Sequence, residues 1–89
     1  MDIDQYLSSP GALSVTELRL RMSALGYEVK SNAQIRQWRT GFRSPSEKNC
    51  VGLEKATDGR IRRQDLRPND WWLIWPEMPG AKNRSIKKK

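Results

Sequence analysis

The sequence predicts an all-α fold, a small bundle of about five short helices. Two observations carry that expectation. Three stretches repeat one helix-start signal, a serine followed three residues later by Glu or Gln: Ser14-Val-Thr-Glu17, Ser31-Asn-Ala-Gln34 and Ser44-Pro-Ser-Glu47. In such a capping box the hydroxyl accepts from the third helical N–H while the acid or amide reaches back to the cap. Each signal precedes apolar residues at helical spacing, and each such run is closed by Gly or Asp-Gly.

The elements follow in order. A first helix is expected over about residues 2 to 8, with Asp2 and Asp4 near its positive end and Pro10-Gly11 as its break. A second is expected over about residues 15 to 25, with Val15, Leu18, Met22 and Leu25 on one face, Arg19 and Arg21 elsewhere, and Gly26 at its end. A third spans about residues 32 to 40 and stops at Gly41. A fourth spans about residues 45 to 57, with Pro45 at its first position, Cys50, Leu53 and Ala56 inward, and Asp58-Gly59 at its end. A short extended piece is expected around Ile61. Arg67-Pro68-Asn69-Asp70 then opens a last short helix through Trp71-Trp72-Leu73-Ile74-Trp75, ending near Pro76. Residues 1 to 78 read as one domain and residues 79 to 89 as a basic, disordered tail.

At 89 residues the chain suits one small domain, and such a domain buries roughly 60 % of its unfolded surface, so its core is thin. The net charge is +7, but the stretch Lys-Asn-Arg-Ser-Ile-Lys-Lys-Lys at the end holds five of the 17 bases and no acid. The remaining 81 residues carry 12 bases against 10 acids. Within them the bases are local. Lys30, Arg36, Arg39, Arg43 and Lys48 face Glu47 alone over residues 30 to 48, and Arg60, Arg62, Arg63 and Arg67 face Asp65 alone over residues 60 to 67. Local basic strips of this kind point to a polyanion partner.

Several functions are excluded or disfavoured. Histidine is absent, which removes the commonest general base and metal ligand. The single cysteine, Cys50, can form neither an internal disulfide nor a CxxC zinc site, and it fits a reducing compartment. No Gly-rich phosphate loop occurs, so no enzyme, no metal and no cofactor is expected. No apolar run of about 18 residues occurs. The opening Met-Asp-Ile-Asp-Gln carries acids where a signal peptide needs bases, so a cytoplasmic protein without a membrane partner is expected.

The third helix carries the functional signal. Ile35 and Trp38 share a face and should pack on Leu18, Met22 and Leu53. The opposite face then presents Asn32, Ala33, Arg36 and Gln37, with Arg39 to one side. Asn and Gln can bind adenine through two hydrogen bonds, and Arg can do the same with guanine. The second helix of a helix-turn-helix enters the major groove in this way. Ser31 and the free N–H groups at the helix start suit a phosphate oxygen. Lys30, Arg39 and Arg43 suit phosphates as well. Trp71, Trp72 and Trp75 exceed what one side of a two-turn helix can bury, so part of that surface is expected to meet a second copy or a protein partner.

These motifs together resemble the Cro-type repressors of bacteriophages and the YdaS-like antitoxins of prophages. The resemblance rests on an ordered set: Gln37-Trp38, Gly41, Pro45, Cys50, Leu53-Glu54, Ala56-Thr57, Gly59 and Arg63-Gln64-Asp65-Leu66-Arg67-Pro68, and it covers about residues 2 to 75. It implies a lambda-repressor-like helical domain that represses transcription by binding operator DNA as a homodimer. The alternative it implies is an antitoxin-like protein that binds a toxin and regulates its own operon. One departure stands out: the connection over residues 26 to 30 is a few residues longer than the tight turn of that group.

Overall fold

The computed structural model describes residues 1–81. They form six helices: α1 (Ile3–Leu7), α2 (Val15–Ala24), α3 (Asn32–Thr40), α4 (Glu47–Ala56), α5 (Arg63–Leu66) and α6 (Trp71–Ile74), with no strand among the described residues. The fold is the expected all-α bundle, with one more short helix than the sequence implies.

The helix starts differ in instructive ways. Ser14 forms the full box with Glu17, each side chain bonding the other's backbone N–H at 3.1 and 2.8 Å. Asp2 and Gln5 form a second box that the serine pattern misses. The Ser44 box does not form. Ser46 is the cap instead, accepting from the Asn49 N–H at 3.1 Å, so α4 begins two residues later than expected. Pro45 thereby stays outside the helix, where it is buried and its carbonyl is free to accept from Arg67 (3.4 Å) and from the Cys50 thiol (3.9 Å). At the first helical position that carbonyl would be tied to a backbone N–H one turn later.

Ser31 is the third departure. Its side chain makes no cap bond, and its φ of −161° is far from the −69° and −64° of Ser14 and Ser46. The Gln34 side chain accepts instead from the Lys30 N–H at 3.0 Å. The chain reaches α3 fully extended because Val29, two residues earlier, is anchored in the core at 3 % exposure.

The main core takes Ile3 and Tyr6 from α1, Leu18 and Met22 from α2, Ile35 and Trp38 from α3, and Leu53 and Ala56 from α4, with Val29 and Ile61 from connections. Ile35 and Trp38 therefore meet the partners the spacing predicts. Leu25 does not; it is 47 % exposed, because α2 ends at Ala24 and Gly26, at φ +93°, turns the chain away. The Gly26 and Tyr27 N–H groups bond back to Ser23 (3.0 Å) and Met22 (2.8 Å), a Schellman closure. Ile61 is fully buried, but no extended piece forms around it. The Thr57 hydroxyl accepts from the Ile61 N–H at 3.0 Å and donates to Leu53 O at 2.8 Å, and α5 follows directly.

A second core adjoins the first, where Cys50 of α4 packs with Trp71, Trp72, Trp75 and Ala81. Trp71 and Trp72 meet edge to face at 6.0 Å. Each of the three indoles is only 8 % exposed. The expected surplus of indole surface is absent because α6 lasts one turn and residues 76 to 81 fold back over it. Ala81 is 1 % exposed, and its N–H bonds to Met78 O at 3.1 Å. Packing in the second core thus extends to Ala81. The rest of the basic tail, residues 82 to 89, lies outside the described residues.

Candidate nucleic-acid interface

α2 and α3 form the helix-turn-helix pair, and α3 is pinned from behind by Ile35 at 0 % and Trp38 at 7 % exposure. Two buried anchors three residues apart fix the rotation of a nine-residue helix. On the other side, Ala33 and Arg36 are exposed and Gln37 is half-buried. No acid pairs with Arg36 among the described residues, so its guanidinium is available to an outside acceptor. Lys30 and Ser31 are exposed at the start of the helix, and the Ser31 hydroxyl makes no cap bond.

Three of the expected residues have work inside the chain. Asn32 is bound at both ends of its amide, accepting from Arg19 Nε at 2.7 Å and donating to Thr16 Oγ1 at 2.9 Å. Arg39 leans toward α1, donating through Nε to Asp4 at 2.7 Å and through Nη2 to Ser8 at 3.1 Å. Arg43 lies over the ring of Phe42 at 5.7 Å, and that ring is 73 % exposed just past the end of α3. Trp71, Trp72 and Trp75 are buried in the second core. The large apolar side chain that α6 leaves to solvent is Leu73, at 60 %.

Arg19 and Thr16 are at this site by contact, although neither is among the residues the sequence singles out. Periodicity reports only that Arg19 is off the core face. Its partner lies 13 residues away in the chain, beyond the reach of any helical pattern.

The second basic strip is largely paired. Arg63 Nε meets Glu54 at 2.8 Å and Arg62 meets Asp65 at 3.1 Å, while Arg60 covers the Tyr6 ring at 5.1 Å. Cys50 is a fully buried core group, and that burial pushes its thiol up from its ordinary value despite the nearby Arg67. No helix among the described residues is long and apolar enough to cross a membrane.

α3 thus turns the exposed guanidinium of Arg36, which no acid pairs among the described residues, away from the core, whereas Arg39 is held by Asp4. Over 59 residues, 65 % of this chain, the sequence is 30 % identical to a protein of Escherichia coli (strain K12) described as "Putative transcriptional regulator YdaS". The match spans 60 % of that relative's length. No protein-family model matches the chain.

Proposed function

We propose that the protein is a sequence-specific DNA-binding repressor of the phage or prophage Cro-like type, with α3 in the major groove of its operator. The observation that carries the reading is the two-sided character of α3. Ile35 and Trp38 are buried while Ala33, Arg36 and Gln37 are turned off the core with no internal partner for Arg36. Arg36 and Gln37 read base edges, and Ala33 gives a close apolar contact such as a thymine methyl accepts. Lys30, Ser31 and Arg43 hold phosphates, and Arg39 joins them once it exchanges Asp4 for the backbone of the duplex. The relative's description as a regulator of transcription supports the same reading.

One α3 covers only a few base pairs, so two copies act on half-sites about one DNA turn apart. The antitoxin alternative requires a protein-binding surface, and the exposed Leu73 beside the second core is the feature that favours it. The test of the main reading is titration of a labelled duplex from the intergenic DNA beside the gene at several salt concentrations. The expected result is tight, strongly salt-dependent binding that exceeds binding to random duplex. Equal affinity for both duplexes would overturn the repressor reading.

A further inference from the structure

We propose that Arg19, on α2, belongs to the DNA-contacting surface and that Asn32 is the positioning residue that holds it there. The inference rests on the DNA-binding reading above. Thr16, Arg19 and Asn32 form one bonded chain across the two helices: Arg19 Nε donates to Asn32 Oδ1 at 2.7 Å, and Asn32 Nδ2 donates to Thr16 Oγ1 at 2.9 Å. An amide that reads adenine needs its oxygen and its amino group for the base. Both ends of Asn32 are already engaged, so a helix-start residue with the right chemistry for adenine is committed to the protein.

The consequence falls on Arg19. Its Nε is used, but its two terminal nitrogens have no acceptor among the described residues. The 2.7 Å bond fixes the guanidinium against the first residue of α3, one turn before Arg36. A guanidinium held through Nε presents its outer nitrogens as a flat fork, the shape that matches two phosphate oxygens. A free arginine must lose rotamer freedom on binding; one already ordered by Asn32 loses less. A phosphate clamp from α2 beside base contacts from α3 sets the angle at which α3 enters the groove, since phosphate contacts position and base contacts specify.

The experiment uses the full chain, its preferred duplex, and duplexes carrying single base-pair changes, each titrated over a range of salt. Arg19→Ala is expected to weaken binding to every duplex by the same factor, on the order of tenfold, and to flatten the salt slope by about 0.9. Asn32→Ala is expected to weaken all duplexes alike by a smaller factor, with their rank order intact. Thr16→Val should act as a milder Asn32→Ala. Arg19→Lys keeps the charge but lacks Nε, so it should keep the slope and lose part of the affinity, which guards against a misfolded Arg19→Ala. Loss of discrimination at one base pair in Asn32→Ala would make Asn32 a reader and overturn the proposal. So would an unchanged slope in Arg19→Ala while the wild-type chain binds specifically. A wild-type chain that binds no duplex overturns the DNA-binding reading, and the proposal with it.

Discussion

The ring of Tyr27 lies against Gly52 so closely that a Cβ at residue 52 would fall 2.6 Å from Tyr27 Cγ and 2.8 Å from its Cβ. Tyr27 belongs to the long connection between α2 and α3, and Gly52 is inside α4. Lys55, one turn further along α4, covers the same ring at 5.7 Å. The connection that exceeds a tight helix-turn-helix turn is therefore held twice, by Tyr27 on α4 and by Val29 in the core. Its extra length does not loosen the pair of helices.

Gly52→Ala tests this contact. In an open helix the change would stabilise by up to about 1 kcal/mol, because glycine is the poorer helix former. Here the added methyl meets the fixed base of a ring, and overpacking of that kind costs about 1–3 kcal/mol. A net loss of stability is expected by chemical denaturation. In a Tyr27→Gly background, which removes the Cβ as well as the ring, the same change should become neutral or favourable. A Gly52→Ala chain that melts higher than wild type would mean the ring is not seated on α4.

The same contacts mark how far the sequence could be read. α3 was legible because its signals are local: Ile35 and Trp38 lie three apart and Gly41, at φ +82°, ends the helix. The inward set of α4, Cys50, Leu53 and Ala56, was legible for the same reason. Its start was not, since Ser44 and Ser46 both carry cap chemistry and only the burial of Pro45 decides between them. The indoles failed differently. A helical wheel cannot register that residues 76 to 81 return over them. The bonds of Asn32 were not legible, because its partners, Thr16 and Arg19, are distant in sequence.

Trp72 and Leu73 are neighbours in α6 with opposite surroundings, 8 % and 60 % exposed. Trp72→Ala should cost about 3–5 kcal/mol, the usual range for a deleted core aromatic, and bring a small domain close to unfolding. Leu73→Ala should change stability by no more than about 0.5 kcal/mol. If copies pair on DNA through this face, Leu73→Asp should leave the melt intact and abolish the two-to-one complex in sedimentation or native mass measurements. An unchanged two-to-one complex would place the two-fold contact elsewhere.

Asp65 gives the acid limb of stability. Its partial burial raises its pKa, but bonds from the Arg62 side chain, the terminal amine of Met1 and the Arg62 N–H outweigh that and hold the carboxyl below its ordinary value. A carboxylate whose folded pKa is depressed stabilises the fold above its unfolded pKa, and that share is lost as pH falls through the folded value. Asp65→Asn should therefore be less stable than wild type at neutral pH, with the gap closing below about pH 4. A gap that persists undiminished in acid would assign the loss to packing and not to charge.

The proposed phosphate contact of Arg39 requires it to leave Asp4. The pair is 2.7 Å apart, with Asp4 63 % and Arg39 36 % exposed, so it contributes little to stability, about 0.2–1 kcal/mol. Asp4→Ala should lower the melting temperature slightly and strengthen binding to all duplexes by a few-fold, with a steeper salt slope. Unaltered affinity in Asp4→Ala would remove Arg39 from the set of phosphate contacts.

Variants of Arg36, Gln37 and Arg43 test the proposed division between reading and positioning. Arg36 and Gln37 lie on α3 opposite its buried face, whereas Arg43 is past the end of the helix, over Phe42. Arg36→Ala or Gln37→Ala should each relax discrimination at one base pair and cost about 1–3 kcal/mol on the preferred site. Arg43→Ala should weaken all sequences alike and lower the salt slope by about one. The measurement is a competition assay against duplexes with single base-pair changes, repeated at two salt concentrations. If both α3 variants lose affinity uniformly, as Arg43→Ala does, then α3 lies along the phosphates without reading the groove. Specificity would then have to come from the shape of the duplex.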